Sequence, residues 1–218
     1  MTSIRMPALA IVVLTLTWAD AAPLAQHTRL FHPEDLSELE GPDRAEWQQP
    51  GKIMDLLGVG EASVVADLGA GSGWFTIRLA DRVGPNGLVL SEDIQRPMIQ
   101  AIKVRLDRLG LKNVMTVLGI QNDPRLPVPV DAVLICDAYH EMEQPVLLLT
   151  NVAKKLKPKA RIGIVDFTKD GGGPGPAMEE RVDPETVIRD AKAAGLVLRS
   201  RETFLKYQYM LVFEKPRS

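Results

Sequence analysis

Short apolar runs and longer amphipathic segments follow one another along most of the chain. From residue 63 onward, runs typical of buried strands are followed by segments whose apolar residues recur every three or four positions, the spacing of one helix face. This order predicts a parallel sheet with helices on both faces, joined by right-handed crossovers. The predicted strands are 63–68, 88–93, 114–118, 131–136 and 161–167, and the predicted helices are 74–83, 97–109, 145–156 and 183–194.

The pattern changes on either side of this region. Two strand-like runs, 196–204 and 208–214, are separated by a short connection, which predicts an antiparallel pair. A helix is predicted over 44–57, with a break or bend at Pro50 and Gly51. The stretch 22–43 is polar and weakly patterned, and we expect it to be an extended lead-in. No internal repeat or second core is visible, so we expect residues 44–218 to form a single domain.

The first residues have the layout of a secretory signal. Arg5 supplies a positive charge, residues 8–18 are almost continuously apolar, and Ala19-Asp20-Ala21 has the small-x-small pattern of a cleavage site. The apolar run is too short to cross a bilayer comfortably as a permanent helix. We therefore expect residues 1–21, or as far as 25, to be removed, leaving a periplasmic or secreted protein without a stable membrane anchor. The alternative is an uncleaved apolar helix that packs on the domain or anchors it in the inner membrane.

Composition is that of a globular protein and narrows the class of partner. The 218 residues are 45% hydrophobic and 25% charged, and 26 Lys and Arg against 28 Asp and Glu give a formal net charge of −2. This balance does not favour nucleic acid, so a small molecule is the expected partner. The single cysteine, Cys136, excludes an internal disulfide and a multi-cysteine zinc site, and its apolar surroundings predict a buried strand residue. His27 and His32 match no metal-ligand spacing with Glu34 and Asp35, so we expect no metal.

The stretch VVADLGAGSGWF joins the first predicted strand to the next helix through a turn with three glycines. Glycine lets a ligand approach the main chain where a side chain would collide. The glycines are Gly69, Gly71 and Gly73, and Trp74 stands where a dinucleotide-binding turn has its third glycine. A tight strand-to-helix turn without a ligand is the alternative interpretation.

A carboxylate follows at the end of the second predicted strand. Asp93 lies 20 residues after Gly73 and can accept hydrogen bonds from both ribose hydroxyls of a nucleoside, with Glu92 as the neighbouring alternative. Since successive strand side chains point to opposite faces, we expect only one of the two to reach a ligand. Ligands of such sheets bind beyond the carboxyl ends of the strands, which makes the residues after each strand the candidates.

With these features the chain resembles class I S-adenosylmethionine-dependent methyltransferases over about residues 47–214. The most specific segments are VVADLGAGSGWFTIRLA, LVLSEDIQRPM and VDAVLICDAYHEM, and the chain is similar to small bacterial methyltransferase-domain proteins with Tyr-His-Glu after the fourth strand. The resemblance implies a doubly wound, three-layer α/β fold. Its sheet is Rossmann-like and has seven strands, which are mostly parallel with an antiparallel last strand. It implies S-adenosylmethionine as cofactor and a small-molecule methyl acceptor. The cofactor residues that it implies are Asp67, Gly69, Ala70, Gly71, Gly73, Asp93, Ile94 and Asp137, with Asn122 or Asp123 at the adenine.

Methyl transfer of this kind needs little proton chemistry. A sulfonium carries the methyl group and displacement is in line, so positioning supplies much of the acceleration. A base is needed only where the acceptor must lose a proton. His140 follows the fourth predicted strand and is the candidate general base near neutral pH, with Tyr139 and Glu141 as further catalytic candidates. A structural histidine that caps the next helix or bonds a carbonyl is the alternative.

Two groups of further candidates remain. Trp74, Tyr139, Tyr207 and Tyr209 have rings that can face a cationic sulfonium or an aromatic acceptor, or else belong to the core. The segment GGGPGP, 171–176, follows the fifth predicted strand and is either a mobile lid over the acceptor or a loose connection. Two other functions stay open: a protein that binds S-adenosylmethionine or its demethylated product without turnover, and a nicotinamide-dependent oxidoreductase, which Trp74 disfavours.

Overall fold

The computed structural model describes residues 30–170 and 172–216. In this part of the chain seven strands form one sheet: β1 (Val64–Leu68), β2 (Leu88–Asp93), β3 (Val114–Leu118), β4 (Val130–Cys136), β5 (Leu156–Phe167), β6 (Val197–Glu202) and β7 (Gln208–Glu214). Their order across the sheet is β3-β2-β1-β4-β5-β7-β6. The strands from β1 to β5 pair in parallel, whereas β7 is antiparallel to both β5 and β6. The predicted doubly wound, mostly parallel sheet with an antiparallel final pair is confirmed.

Helices cover both faces of this sheet. They are α1 (Arg44–Gln48), α2 (Pro50–Leu57), α3 (Trp74–Val83), α4 (Arg96–Leu109), α5 (Pro145–Lys155) and α6 (Pro184–Ala193). The helix predicted over 44–57 is interrupted at Gln49, whose φ of 46° is left-handed, one residue before the predicted break. Pro50 then begins α2. The N–H of the first residue of a helix has no partner within the helix, so proline, which lacks an N–H, is tolerated there.

The core lies in two layers, one on each side of the sheet. Neighbouring residues of β1 enter different layers: Val65 packs with α2 and α3 residues such as Ile53 and Leu79, and Ala66 packs with α5 residues such as Leu149. Strands buried on both faces read as continuous apolar runs, which explains why the sequence pattern locates them well. The carboxyl ends of β1, β2 and β4 therefore meet at one edge, as the candidate site requires.

The segment before α1 differs from expectation. We expected an extended lead-in over 22–43, but Pro33–Glu40 forms a 3-10 helix, which has a proline and two acidic residues in its first turn. The predicted signal and His27 lie outside the described residues. Within 30–170 and 172–216, no helix combines the length and the apolar character needed to span a membrane.

The packing of α2 on β5 leads to a test of the core. A Cβ built on Gly163 of β5 would come 2.8 Å from Cδ2 of Leu57, which is 2% exposed. We expect Gly163→Ala to lower the free energy of unfolding by about 1–3 kcal/mol, because an added methyl over-packs a filled core. Urea denaturation measures the change. Gly60→Ala is the matched control, since nothing lies within 4 Å of its Cβ position, and equal midpoints for the two variants would contradict the expectation.

Candidate functional site

The glycine turn after β1 lies against the end of β2. Gly69, Gly71 and Gly73 all have left-handed backbone, with φ of 69°, 54° and 78°. A Cβ on Gly69 would come 2.5 Å from the Cβ of Ala138, so only glycine fits there. Gly73 serves as the cap from which α3 begins. The turn therefore presents bare main chain at the carboxyl edge of the sheet.

Two carboxylates at the end of β2 hold this turn in place. Asp93 accepts hydrogen bonds from the N–H groups of Gly71 at 3.1 Å and Gln95 at 2.8 Å, and Glu92 accepts one from Gly69 at 3.4 Å. Both residues line the same cavity, although we expected successive side chains of the strand to point to opposite faces. Alternation holds inside a strand, but Asp93 is the last residue of β2 and the chain turns there.

Burial changes the protonation of these carboxyl groups. It raises the pKa of Glu92 well above its usual range, and the charge of the neighbouring Asp93 adds to the effect. It also raises the pKa of Asp93, although hydrogen bonds from the main chain of Gln95 and Gly71 act in the opposite direction. Asp93 is thus the more readily ionised of two carboxyl groups that face the turn.

The space beside the turn is a cavity that we call the glycine-turn cavity. It is lined by Gly69, Gly71, Glu92, Asp93, Ile94, Met98, Ile120, Gln121, Asp137, Ala138, Glu141 and Met142, among others. Of the residues after β3, Ile120 and Gln121 line it, and the predicted Asn122 and Asp123 do not. Ile120 and Asp123 form a tight antiparallel bridge, which turns the next residues away. The side chain of Asp123 instead accepts from the N–H of Arg125 at 2.8 Å.

A narrower space lies under the same turn. Asp67, Ala70, Ser72 and Trp74 contribute to its lining. Asp67 accepts a hydrogen bond from the Thr76 hydroxyl at 2.6 Å, and burial raises its pKa to about 6. Asp67 therefore supports the turn from below.

Two buried polar atoms at the turn lack a partner in the part of the chain that the structure describes. They are Oγ of Ser72 and Oε1 of Glu92. Buried polar atoms are rarely left unpaired in folded proteins. The Ser72 hydroxyl, beside bare glycine backbone, fits a polar ligand that supplies the missing hydrogen bond, whereas Oε1 of Glu92 lies against Gly119.

Asp137 stands at the boundary between this cavity and a second one. Its φ of 58° is left-handed, and its carboxylate accepts hydrogen bonds from Arg44 at 2.8 Å, from Gln48 at 3.0 Å and from Gln208. Burial raises the pKa of Asp137, and the guanidinium of Arg44 opposes that rise. Asp137 thereby ties α1 and β7 to the end of β4.

The second space is a cavity of about 550 Å³ with aromatic walls, which we call the aromatic cavity. The rings of Phe31, Trp47 and Phe167 line it, and the centroids of Trp47 and Phe167 lie 6.1 Å apart. It shares Phe31, Leu39, Asp137 and Glu141 with the glycine-turn cavity. Two ligands bound in these cavities would therefore meet beside Asp137 and Glu141.

The aromatic residues that we singled out do not line the aromatic cavity. The ring of Trp74 is covered by the guanidinium groups of Arg44 and Arg78, at 4.5 and 3.4 Å from its centroid. Tyr207 packs edge-on against Trp47, behind the wall. Tyr209 is 4% exposed and belongs to the core.

His140 lies in the wall of the aromatic cavity and is paired with a carboxylate. Its Nδ1 lies 3.0 and 3.1 Å from the two oxygens of Asp166, and its main-chain N–H donates to Asp166 at 3.0 Å. Its Nε2 lies 3.8 Å from Glu141 and has no hydrogen-bond partner among residues 30–170 and 172–216. Asp166 is fully buried at the end of β5. The pair is therefore a His–Asp dyad with one ring nitrogen free, and not the capping histidine of the alternative interpretation.

The dyad has a pKa above neutrality. Burial alone would lower the pKa of His140, but the hydrogen bond and charge of Asp166, together with Glu141 and Asp137, raise it to about 9. We expected a base near neutral pH, whereas the structure gives an imidazole that is mostly protonated there. The unprotonated form that a base requires becomes the major one only above about pH 9.

The residues on either side of His140 have different environments. Tyr139 is 3% exposed, and its hydroxyl donates to Asp190 of α6 at 3.0 Å. Tyr139 therefore lies in the core and not in the site as we predicted, because the 3-10 turn Tyr139–Glu141 directs consecutive side chains to different sides. Glu141 lines both cavities and accepts a hydrogen bond from the N–H of Phe31 at 3.4 Å.

The glycine-rich segment after β5 forms part of the wall of the aromatic cavity. Pro174, Gly175 and Pro176 line it. The guanidinium of Arg181, which is 5% exposed, donates to the carbonyls of Pro176 and Thr168, each at 3.0 Å. Gly171 lies outside the described residues. Over 172–176 the segment thus forms part of the cavity wall, and Arg181 holds it through hydrogen bonds to its main chain.

Comparison with known proteins places this architecture in a family. Residues 60–211 match the family model described as a methyltransferase domain. The chain belongs to this family. Its fold is that of class I S-adenosylmethionine-dependent methyltransferases, as the sequence motifs indicated.

Named relatives agree with this membership. The chain is 29% identical over 130 residues to nocamycin O-methyltransferase of Saccharothrix syringae, a match that covers 59% of this chain and 45% of that protein. It is 32% identical over 120 residues to the ubiquinone/menaquinone biosynthesis C-methyltransferase UbiE of Pasteurella multocida, covering 53% of this chain and 44% of that one. The chain thus spans less than half the length of these two relatives.

A solved structure matches over nearly its whole length. The crystal structure of a SAM-dependent methyltransferase from Aquifex aeolicus has a TM-score of 0.79 and 28% sequence identity, covering 84% of this chain and 98% of that one. S-adenosylmethionine is the cofactor that these comparisons indicate. The bare glycine turn, the unpaired Ser72 hydroxyl and the ionisable Asp93 fit its hydroxyl, amino and carboxylate groups.

The dyad of this methyltransferase predicts how its stability depends on pH. The pKa of His140 is about 9 in the folded protein against the usual 6.5, so its contribution to stability is fully present below pH 6.5 and is lost as pH rises through 9. Between pH 6.5 and 9 the free energy of unfolding of wild type should fall by up to about 3 kcal/mol more than that of His140→Gln. Urea unfolding at several pH values measures this difference.

His32→Gln is the matched control for this measurement. The side chain of His32 is 47% exposed and faces only Glu34. We expect the free energy of unfolding of His32→Gln to change with pH in parallel with that of wild type. If the wild-type and His140→Gln curves also run parallel between pH 6.5 and 9, the raised pKa of His140 is contradicted.

Proposed function

We propose that the protein transfers a methyl group from S-adenosylmethionine to a small-molecule acceptor bound in the aromatic cavity. The observation that carries the proposal is the junction of the two cavities at Asp137 and Glu141, which brings a second ligand next to the cofactor space. Two relatives support it by their names, since nocamycin, ubiquinone and menaquinone are small molecules.

The residues of the glycine-turn cavity have roles that follow from their geometry. When bound, S-adenosylmethionine supplies an electrophilic methyl group on a sulfonium sulfur. Asp93 would accept hydrogen bonds from hydroxyl groups, the main chain of Gly69 and Gly71 would allow close approach, and Ser72, in the narrower space under the turn, would offer its unpaired hydroxyl. Alignment of donor and acceptor across the junction supplies on the order of 7–11 kcal/mol of the barrier reduction.

A protein that only binds the cofactor is the less favoured alternative. Such a protein has no need of a second cavity with a His–Asp dyad in its wall, and the named relatives are methyltransferases. A nicotinamide-dependent oxidoreductase is disfavoured by the same comparisons and by the Trp74 position in the glycine turn.

The cofactor assignment is tested with the demethylated product, S-adenosylhomocysteine. We expect Asp93→Ala to weaken its binding by about tenfold or more, because one or two charge-assisted hydrogen bonds are lost. Isothermal titration calorimetry on the chain from residue 22 onward measures the dissociation constants.

Asp123→Ala is the matched control for Asp93→Ala. Asp123 is a carboxylate in the neighbouring loop that lies outside the glycine-turn cavity, so its loss should leave the affinity unchanged. Equal weakening by both substitutions would place the ribose elsewhere, and no binding by folded wild type would remove the support for the methyltransferase proposal.

We further propose that the protein is exported. The support is the layout of residues 1–21, with a charged start, an apolar stretch and a small-x-small end. Intact-mass analysis of the protein from its native host should find a chain that begins at Ala22, or within a few residues after it. A mass that includes Met1 would contradict cleavage.

A further inference from the structure

The walls of the aromatic cavity are suited to a flat ring. Phe31, Trp47 and Phe167 supply three aromatic side chains, and Pro174 and Pro176 add rigid apolar surface. The tilted pair of Trp47 and Phe167 presents ring surfaces against which another ring can stack, and such ring contacts add to the gain from apolar burial. A volume of about 550 Å³ has room for a bicyclic compound.

The charges of the cavity oppose an anionic ligand. Four carboxylate residues line it: Asp43, Asp137, Glu141 and Glu180. Arg44 is the only Lys or Arg in the lining among the described residues. An acceptor that carries a carboxylate or phosphate would be repelled by these carboxylates, and the protonated His140 in the same wall is already paired with Asp166, which leaves Arg44 as the cation to consider.

Arg44 is committed elsewhere, because each of its three nitrogens already donates a hydrogen bond. Its Nε donates to Gln48 at 2.6 Å, its Nη1 donates to the carbonyl of Leu39, and its Nη2 donates to Asp137 at 2.8 Å. Its guanidinium also stacks on Trp74. Recruiting it for a ligand would leave Asp137 buried without its partner.

A cationic acceptor meets a different obstacle at the point of reaction. His140 is mostly protonated near neutral pH, since its pKa is raised to about 9. The sulfonium of the cofactor would add a second positive charge at the same junction. The carboxylates of the wall attract a cation elsewhere in the cavity, but a third cation at the reacting position would be repelled by these two charges. A neutral hydroxyl meets no such repulsion there.

Resting on the proposed function, we infer that the aromatic cavity selects an uncharged hydroxyaromatic compound and that its hydroxyl oxygen is the methyl acceptor. The free Nε2 of His140, at the junction of the cavities, is the group that receives the hydroxyl proton. The oxygen keeps the electron pair of its O–H bond and forms the bond to the methyl carbon, while the methyl–sulfur bond breaks and its electron pair stays on sulfur.

The acidity of a phenol matches this dyad. An ordinary phenol such as tyrosine has a pKa of about 10, and that of His140 is about 9, so the proton moves between groups of similar affinity. An aliphatic alcohol is far less acidic and would hold its proton. The methyl transfer should accordingly become faster as pH rises toward 9 and more molecules carry neutral His140.

The experiment compares three ligands that share one ring system. With sinefungin, a non-transferring cofactor analogue whose ammonium group supplies the positive charge of the sulfonium, present at saturation near neutral pH, calorimetry measures the binding of 2-naphthol, 2-naphthoate and 2-naphthylmethylamine, which are neutral, anionic and cationic. We expect 2-naphthol to bind at least about tenfold more tightly than either charged analogue. With S-adenosylmethionine instead, mass spectrometry should find 2-methoxynaphthalene as product.

Matched pairs of variants separate the parts of the inference. Trp47→Leu should weaken 2-naphthol binding, whereas Phe204→Leu, which lies outside the cavity lining, should not. Glu180→Gln should bring the affinity for 2-naphthoate closer to that for 2-naphthol, whereas Glu179→Gln, an adjacent carboxylate outside the lining, should not. His140→Gln should keep 2-naphthol binding and lose formation of the ether.

Each contrary result has a distinct meaning. If S-adenosylhomocysteine does not bind, the proposed function itself fails. If it binds but a charged analogue matches or exceeds 2-naphthol, or if none of the three binds, only the acceptor class is overturned. Selective binding of 2-naphthol with no methyl product, or with the methyl group on a ring carbon, would overturn the assignment of the hydroxyl oxygen.

Discussion

The buried ion pair of Arg44 and Asp137 is the interaction on which the rest of the site depends. Its 2.8 Å contact joins a helix near the start of the described chain to the end of β4, and both side chains are nearly excluded from solvent. Removing one partner of such a pair typically costs about 3–5 kcal/mol, because the other charge stays buried alone. Asp137 is also held in a left-handed conformation by the hydrogen bond from its N–H to Val165 at 2.9 Å. The position of α1, and with it the boundary of the two cavities, follows from this contact.

Since α1 is fixed, residues 31–43, which precede it, cover both cavities. We call these residues the roof. The N–H of Phe31 donates to Glu141, and its carbonyl accepts from Gln95 at 3.1 Å. Leu39 packs so closely on the glycine turn that a Cβ on Gly71 would lie 3.1 Å from it. The family match begins at residue 60, so this roof lies outside the matched residues. Six of the fourteen described residues that line the aromatic cavity thus precede the part of the chain that the family pattern defines.

This division explains what sequence reasoning found and what it missed. The sheet, the glycine turn and Asp93 were predictable, because they depend on buried strands and on contacts between residues that follow one strand after another. Trp47 and Asp166 join the site only through the tertiary fold, which no local pattern reports. A lone acid at the end of an apolar strand was the available signal for Asp166. The prediction for Tyr139 was wrong because the three residues of a 3-10 turn point partly into the core and partly into a cavity. The prediction for Asn122 was wrong because the tight bridge after β3 is not visible in the sequence.

The electrostatics of the site make sense only with a cation in it. Burial raises the pKa of Asp67, Glu92, Asp93, Asp137 and Glu141, so their ionised forms are disfavoured in the folded protein. That arrangement costs folding free energy, and perturbed carboxyl groups of this kind concentrate at functional sites. A bound sulfonium would favour the ionised carboxylates. Loss of the methyl group leaves a neutral sulfur, so the same carboxylates attract the donor more strongly than the product. Carboxyl groups whose ionised form burial disfavours would therefore favour the sulfonium form of the cofactor over its demethylated product.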